Sequence, residues 1–160
     1  IYNFVIHGQS LVTAGYGRDS GDTNDYVSMR FDVDTGVRDT TWGGEPNGAV
    51  VVDPSGTMLG SNARSAVGLP NGGTIIIGST GPGNMPAQDA VFVVLDANGE
   101  LDTDYLTGIH VLPLGNDGND QFWGGAVSGN YVSLVGYQGG GSMQTDTMND
   151  DSYGVLFEIQ

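Results

Sequence analysis

The chain has 160 residues, a length that suits one domain with a substantial core. Nineteen acidic residues against four arginines and no lysine give a net charge of −15, which argues against nucleic acid and anionic membranes as partners because both are polyanionic. The sequence has no cysteine, which excludes disulfides and thiol catalysis, and no apolar run approaches the roughly 20 residues needed for membrane insertion.

The first part of the chain predicts four short strands joined by polar turns. Apolar and polar residues alternate over short stretches, and Gly, Asn and Asp residues separate them, as is typical of antiparallel strands and hairpins. The predicted strands lie within residues 3–9, 11–16, 25–32 and 49–53.

The same pattern then recurs twice. DYVSMRFD, which begins at Asp25, aligns with DAVFVVLD from Asp89 and with DSYGVLFE from Asp151. The second copy predicts strands within 65–73, 74–79, 89–96 and 109–114, and the third within 125–130, 133–138 and 151–158. A repeat of about 60 residues with four strands is typical of a propeller blade.

We therefore predict an all-β fold, a β-propeller-like array of about three four-stranded antiparallel units. The units are expected at approximately 1–63, 64–122 and 123–160, within a single domain, and the third unit is incomplete because it lacks a fourth strand. Known propellers have at least four blades, and an open sheet edge is a liability in a free monomer. The chain is accordingly expected either to belong to a longer propeller or to self-associate.

The order of elements resembles the delta-60 repeat family of bacterial blade-like repeats. The resemblance rests on the apolar pair, PNGG turn, IIIG strand and DAVFVVLDANGELDT segment in residues 65–103, and on a partner at residues 4–41. The second copy departs from the family pattern at Tyr105-Leu106, where the first copy has Trp42-Gly43. The resemblance implies a propeller-like fold in secreted or surface proteins and no single activity.

Two acidic stretches raise the question of calcium binding. DANGELDTDY (residues 96–105) echoes DVDTGVRDTTW (residues 32–42), and carboxylate and amide oxygens are suitable calcium ligands, although the spacing is not that of an EF-hand loop. Gly36 and Gly99 match between the copies, and a matched glycine indicates a positive φ in a strand-to-strand turn. We interpret the stretches as turns, with a metal site as the alternative.

The acidic, glycine-rich segments between the predicted sheets and strands are the better places for a cation or a partner. No cofactor is required by the sequence, and calcium is the alternative. The candidate metal ligands are Asp117, Asp120, Asp146, Asp150 and Asp151. The candidate ligand- or partner-binding residues are Asp19, Asp22, Asp25, Trp42 and Trp123, of which the two tryptophans could equally pack between blades.

Catalytic motifs are not recognisable in the sequence, and the two histidines, His7 and His110, fall in predicted strands. We expect a non-catalytic, extracellular or cell-surface module that binds a protein or glycan partner or self-associates, through its loops and its incomplete last sheet. The alternatives are a propeller-borne glycan hydrolase or lyase, and a calcium-dependent carbohydrate-binding or adhesion module.

Overall fold

The computed structural model describes residues 1–18, 23–56, 60–81, 88–103, 108–114, 119–139 and 151–159. These residues form three separate antiparallel sheets of four, four and three strands, and no sheet closes into a barrel. Apart from a single 3-10 turn at Trp42–Gly44, the described residues contain no helix. The predicted all-β array of repeated sheets, with an incomplete third one, is confirmed.

Sheet 1 contains β1 (Asn3–His7), β2 (Ser10–Arg18), β3 (Asn24–Asp32) and β4 (Ala49–Val52) in that spatial order. Each strand pairs with the next one in the sequence, so the sheet is a simple meander. All four strands correspond to predicted ones.

Sheet 2 contains β5 (Ser61–Gly68), β6 (Thr74–Thr80), β7 (Asp89–Leu95) and β8 (Ile109–Leu112), again as a meander. All seven residues of β6 are buried. Sheet 2 lies between the other two sheets and buries both of its faces, which explains why β6 and β7 read as continuous apolar runs instead of alternating ones.

Sheet 3 contains β9 (Gln121–Ser128), β10 (Tyr131–Gln138) and β11 (Asp151–Glu158), with β10 in the middle. The first strands of sheets 2 and 3 begin at Ser61 and Gln121, slightly before the unit starts expected at 64 and 123. The polar residues at these strand starts also pair with β6 and β10, which apolar patterning could not reveal.

The three sheets stack in sequence order, with β5 against sheet 1 and β9 against sheet 2. We call the face of a sheet that points toward the next sheet its forward face, and the opposite one its backward face. Forward residues Val12 and Ala14 of sheet 1 meet backward residue Ile76 of sheet 2 in one core cluster. Forward residues Ile75 and Ile77 meet the backward face of sheet 3 in a second cluster.

The repeat is preserved residue by residue in this stacking. Gly15, Gly78 and Gly136 occupy one position of the three second strands, and each pairs with the equivalent residue of its third strand. A Cβ at any of the three would collide with the backbone of the neighbouring first strand or of the segment before it. The repeated glycine therefore permits the close approach of the first and second strands.

Candidate functional site

The two acidic stretches form turns that use their own carboxylates. Asp96 Oδ1 accepts hydrogen bonds from the amides of Asn98 (2.8 Å) and Glu100 (2.9 Å). In sheet 1, Asp32 Oδ1 accepts from the amide (2.8 Å) and the hydroxyl (2.6 Å) of Thr35, and these bonds lower the pKa of Asp32. The turn interpretation is confirmed for the described part of each stretch.

The predicted positive φ is also present, at +68° for Gly36 and +89° for Gly99. In the described part of the chain, no three side chains of the His, Cys, Asp or Glu type come together as metal ligands would. Asp104 and Tyr105, at the end of the second stretch, lie outside the described residues.

The turn of sheet 2 is docked on sheet 1. The amide of Gly43 donates to the carbonyl of Asn98 (2.7 Å), and Arg30 donates to the carbonyl of Ala97 (3.0 Å). Gly99 packs on the indole of Trp42 so closely that an added Cβ would lie 2.5 Å from Cε2. This turn therefore connects two sheets.

Trp42 was a candidate ligand-binding residue with packing between blades as the alternative, and the structure buries it, at 1% exposure. The Arg30 guanidinium lies over its ring at 4.6 Å, and Arg30 is itself paired with Asp39 through an Nε hydrogen bond of 2.9 Å. Hydrogen bonds from Thr41 and then from Arg30 lower the pKa of Asp39 to about 2. Trp42 is therefore a packing residue between sheets 1 and 2, because the neighbouring repeat covers it.

The candidate acids fall into two groups. Asp25 (β3) and Asp120 are buried, and both have interaction partners. Five others lie outside the described residues: Asp19, Asp22, Asp117, Asp146 and Asp150. For Asp151, the backbone is described and the side chain is not.

Asp120 joins sheets 2 and 3. Its carboxylate accepts hydrogen bonds from the amides of Leu114 (2.9 Å) and Gly139 (3.3 Å), which follow β8 and β10. Burial raises the pKa of Asp89, and the charge of Asp120 raises it further. Two backbone amides thus donate hydrogen bonds to the carboxylate oxygens that the sequence suggested as ligands for a cation.

The first strands bring a row of unusual side chains together. The pairing of β5 with β6 slips between Ala63 and Ser65, so Arg64 is the extra residue of a β-bulge. The same slip in β9 makes Trp123 the extra residue, one position before Gly124.

Tyr2 holds the equivalent place, directly before Asn3, which pairs with Ala14. We call Tyr2, Arg64 and Trp123 the bulge row. Three repeats thus place their equivalent residues side by side.

These side chains stack on one another. The Arg64 guanidinium lies 5.1 Å from the ring centroid of Tyr2 and 5.1 Å from that of Trp123. Tyr16 stacks on Tyr2 at 5.4 Å, and their hydroxyls are 3.1 Å apart. This hydrogen bond lowers the pKa of Tyr2 and raises that of Tyr16. The rings of Tyr2 and Trp123 are about half exposed, so the row is accessible.

Trp123 was expected to be a ligand-binding residue, and it is the one aromatic candidate that the structure leaves exposed. Sequence reasoning missed Tyr2, Tyr16 and Arg64. The available signal was the position immediately before Asn3, Ser65 and Gly124, where the three copies have Tyr, Arg and Trp. A bulge shifts the register by one residue there and hides this equivalence from apolar patterning.

The histidines pack within the sheets. His7 of β1 shares a hydrogen bond with the Thr74 hydroxyl (3.3 Å), and His110 of β8 stacks on Phe92 at 4.5 Å. Burial lowers the pKa of each imidazole. Both rings therefore contribute to packing in the neutral form.

Comparisons with protein-family models and with curated proteins give no match to this chain. The resemblance to the delta-60 repeat remains a prediction. The described residues include no helix with the length and apolar character required to cross a membrane.

Proposed function

We propose that the chain is a non-catalytic assembly module of secreted or surface proteins, which joins a second copy of itself by stacking sheet on sheet. The observation that carries the proposal is the pair of uncovered faces at the two ends of the stack. Secretion is supported by the acidic, lysine-free composition alone.

The two uncovered faces are apolar, and one is a backward face whereas the other is a forward face. The backward face of sheet 1 presents Phe4, Ile6 and Val51, each more than half exposed. The forward face of sheet 3 presents Val135 and Leu156, at least half exposed. Exposed apolar patches of this kind mark protein interaction surfaces.

Repeat equivalence indicates what fits on these faces. Val135 of sheet 3 stands where Ile77 of sheet 2 and Ala14 of sheet 1 stand, and both of those pack against the next sheet. Thr13 of sheet 1 is the equivalent of Ile76 of sheet 2, and Ile76 packs against the preceding sheet. The forward face of sheet 3 in one copy and the backward face of sheet 1 in another would thus repeat an interface that the chain already contains twice.

The shapes of the two faces support the same partner. The forward face of sheet 3 includes small residues, and a groove of about 530 Å³ lies there between Trp123 and Tyr137, lined by Gly136 and Gly154. The backward face of sheet 1 carries large residues such as Phe4 and Ile6. Large side chains from one copy would therefore fill the groove of the other.

Two copies also give a ring of suitable size. A forward-to-backward contact is heterologous, and such contacts form closed rings when the rotation closes. Two copies with three sheets each contain six sheets, within the four to eight blades that are usual for propellers, whereas three copies would contain nine. We therefore propose a dimer.

The test is the mass of the chain in solution, measured by sedimentation equilibrium over a range of concentrations. A species with twice the chain mass is expected, and added salt should strengthen it because each copy carries −15. A compact monomer at all concentrations would refute self-assembly and would leave a sheet from another polypeptide segment as the occupant of these faces.

Single variants distinguish a heterologous interface from a symmetric one. Phe4→Glu blocks the backward face and Leu156→Glu the forward face, so each alone should give a monomer. If the dimer used the same face twice, one of the two variants would remain dimeric. Val111→Glu, at an exposed apolar position of sheet 2, is the matched control and should leave the dimer intact.

A further inference from the structure

We propose that the bulge row is a binding site for an acidic glycan, in which the Arg64 guanidinium pairs with a uronate carboxylate and the rings of Tyr2 and Trp123 stack on neighbouring sugar units. The site lies within one copy of the chain, and it shares Trp123 with the groove that a second copy would fill in the proposed dimer. Arg64 and Trp123 lie in the first strands of sheets 2 and 3, and Tyr2 directly precedes the first strand of sheet 1.

Arg64 is a cation without a carboxylate partner in the described part of a strongly acidic chain. Its Nε is buried and makes no hydrogen bond. Arg30 provides the comparison within the same protein, since it also covers a tryptophan but binds Asp39 and a backbone carbonyl. Arg30 has the partners of a structural arginine. Arg64 contacts the ring of Trp123 and the rings and hydroxyls of Tyr2 and Tyr16. None of these described partners is a carboxylate, so the charge of Arg64 is left for an anionic ligand.

The chemistry of a guanidinium among rings defines the ligand class. Arginine binds carboxylates through paired, charge-assisted hydrogen bonds, which a neutral hydroxyl cannot replace. Tyr2 and Trp123 flank Arg64 and expose about half of their surface, so they offer apolar ring surface on both sides of the cation. A chain of sugar rings that carry carboxylates matches this alternation of ring, cation and ring.

The bulges disfavour an extended peptide at the same place. A peptide strand would add to the free edge of β5 or β9 through a regular run of backbone hydrogen bonds. The extra residue of a bulge bends the strand and interrupts that run. Recognition at this edge therefore depends on the side chains that the bulges present.

The experiment titrates the intact chain with trigalacturonate and with its methyl ester, by calorimetry and by tryptophan fluorescence. A salt concentration of about 0.15 M limits the Debye length to about 8 Å, so the net charge of −15 does not obscure a local contact. We expect the acid form to bind and to change the emission of the exposed Trp123, and the ester to bind at least tenfold more weakly.

Four variants assign the contact. Arg64→Gln should lose at least tenfold in affinity, and Arg64→Lys should fall between Gln and the parent because it keeps the charge without the planar pair of donors. Arg38→Gln removes an exposed arginine elsewhere and should bind like the parent. The monomeric Leu156→Glu variant should bind at least as well as the parent, because Trp123 also lines the groove that the second copy would fill.

Several results would overturn the proposal. These are no binding of the acid at millimolar concentration, equal affinity for acid and ester, or an Arg64→Gln variant that binds as well as Arg38→Gln. If acetate competes as effectively as the trisaccharide, the site takes a carboxylate and the glycan assignment is wrong. The comparison of acid with ester uses the parent protein, so it decides the matter even if an Arg64 variant fails to fold.

Discussion

The docking of the sheet 2 turn on Trp42 gives a sharp prediction, because the equivalent glycine of sheet 1 serves as its control. Gly99 has φ of +89° and lies against the indole. Gly36 has φ of +68° and has no atom within 4 Å of a Cβ built on it. Alanine at either position adopts a left-handed conformation at a cost of about 1–2 kcal/mol. At Gly99 it also overpacks the interface between two sheets, at a further cost of about 1–3 kcal/mol.

We therefore expect Gly36→Ala to lower the free energy of unfolding by about 1–2 kcal/mol and Gly99→Ala to lower it by about 2–5 kcal/mol. Urea denaturation followed by tryptophan fluorescence measures both, and the emission of the native Gly99→Ala variant should shift as the Trp42 indole moves. Equal losses for the two variants would refute the reasoning, since the turn would then contribute nothing to the contact between the sheets.

Three further predictions concern groups buried or paired between strands. Tyr26→Phe removes a buried hydroxyl that donates to the carbonyl of Ser79 (3.3 Å), and should cost about 1 kcal/mol in urea denaturation. Asp39→Asn removes a carboxylate with a pKa of about 2, which lies below the unfolded value of 3.8. The stability that this carboxylate provides is therefore present above about pH 4 and is lost as the pH falls through 2. The difference between parent and variant in urea midpoint should therefore shrink from pH 5 to pH 2, and a constant difference would contradict the assigned pKa. His110 has a pKa below 6.5, so protonation favours the unfolded chain, and stability should fall as the pH drops below 6.5; His110→Phe, which keeps the stacking on Phe92, should reduce that fall in thermal melts at pH 7 and pH 5.

The sequence predicted the strands well because their signals are local. Alternation in β1 to β4 and the repeated Gly15, Gly78 and Gly136 depend on pairing within one sheet, which short-range patterning reports. The turn at Asp96 was likewise predictable, since the side chain of Asp96 bonds amides two and four residues away.

The candidate site was less predictable because it depends on contacts between repeats. Trp42 is buried by Asn98 and Gly99 of the next sheet, and nothing near Trp42 in the sequence indicates that cover. Arg64 meets Tyr2 and Trp123 because bulges displace equivalent residues of separate strands by one position. Asp120 was considered a metal ligand, yet its bonds to Leu114 and Gly139 join elements that are distant in the sequence.

The docked turn also bears on the order in which the chain completes its structure during synthesis. Trp42 belongs to the first repeat, but the residues that enclose it are made one repeat later. When only sheet 1 has been synthesised, this indole is exposed to water, and it becomes buried when the turn after β7 leaves the ribosome. The first repeat is thus completed by the second, so the emission of Trp42 would report the arrival of sheet 2 on a nascent chain.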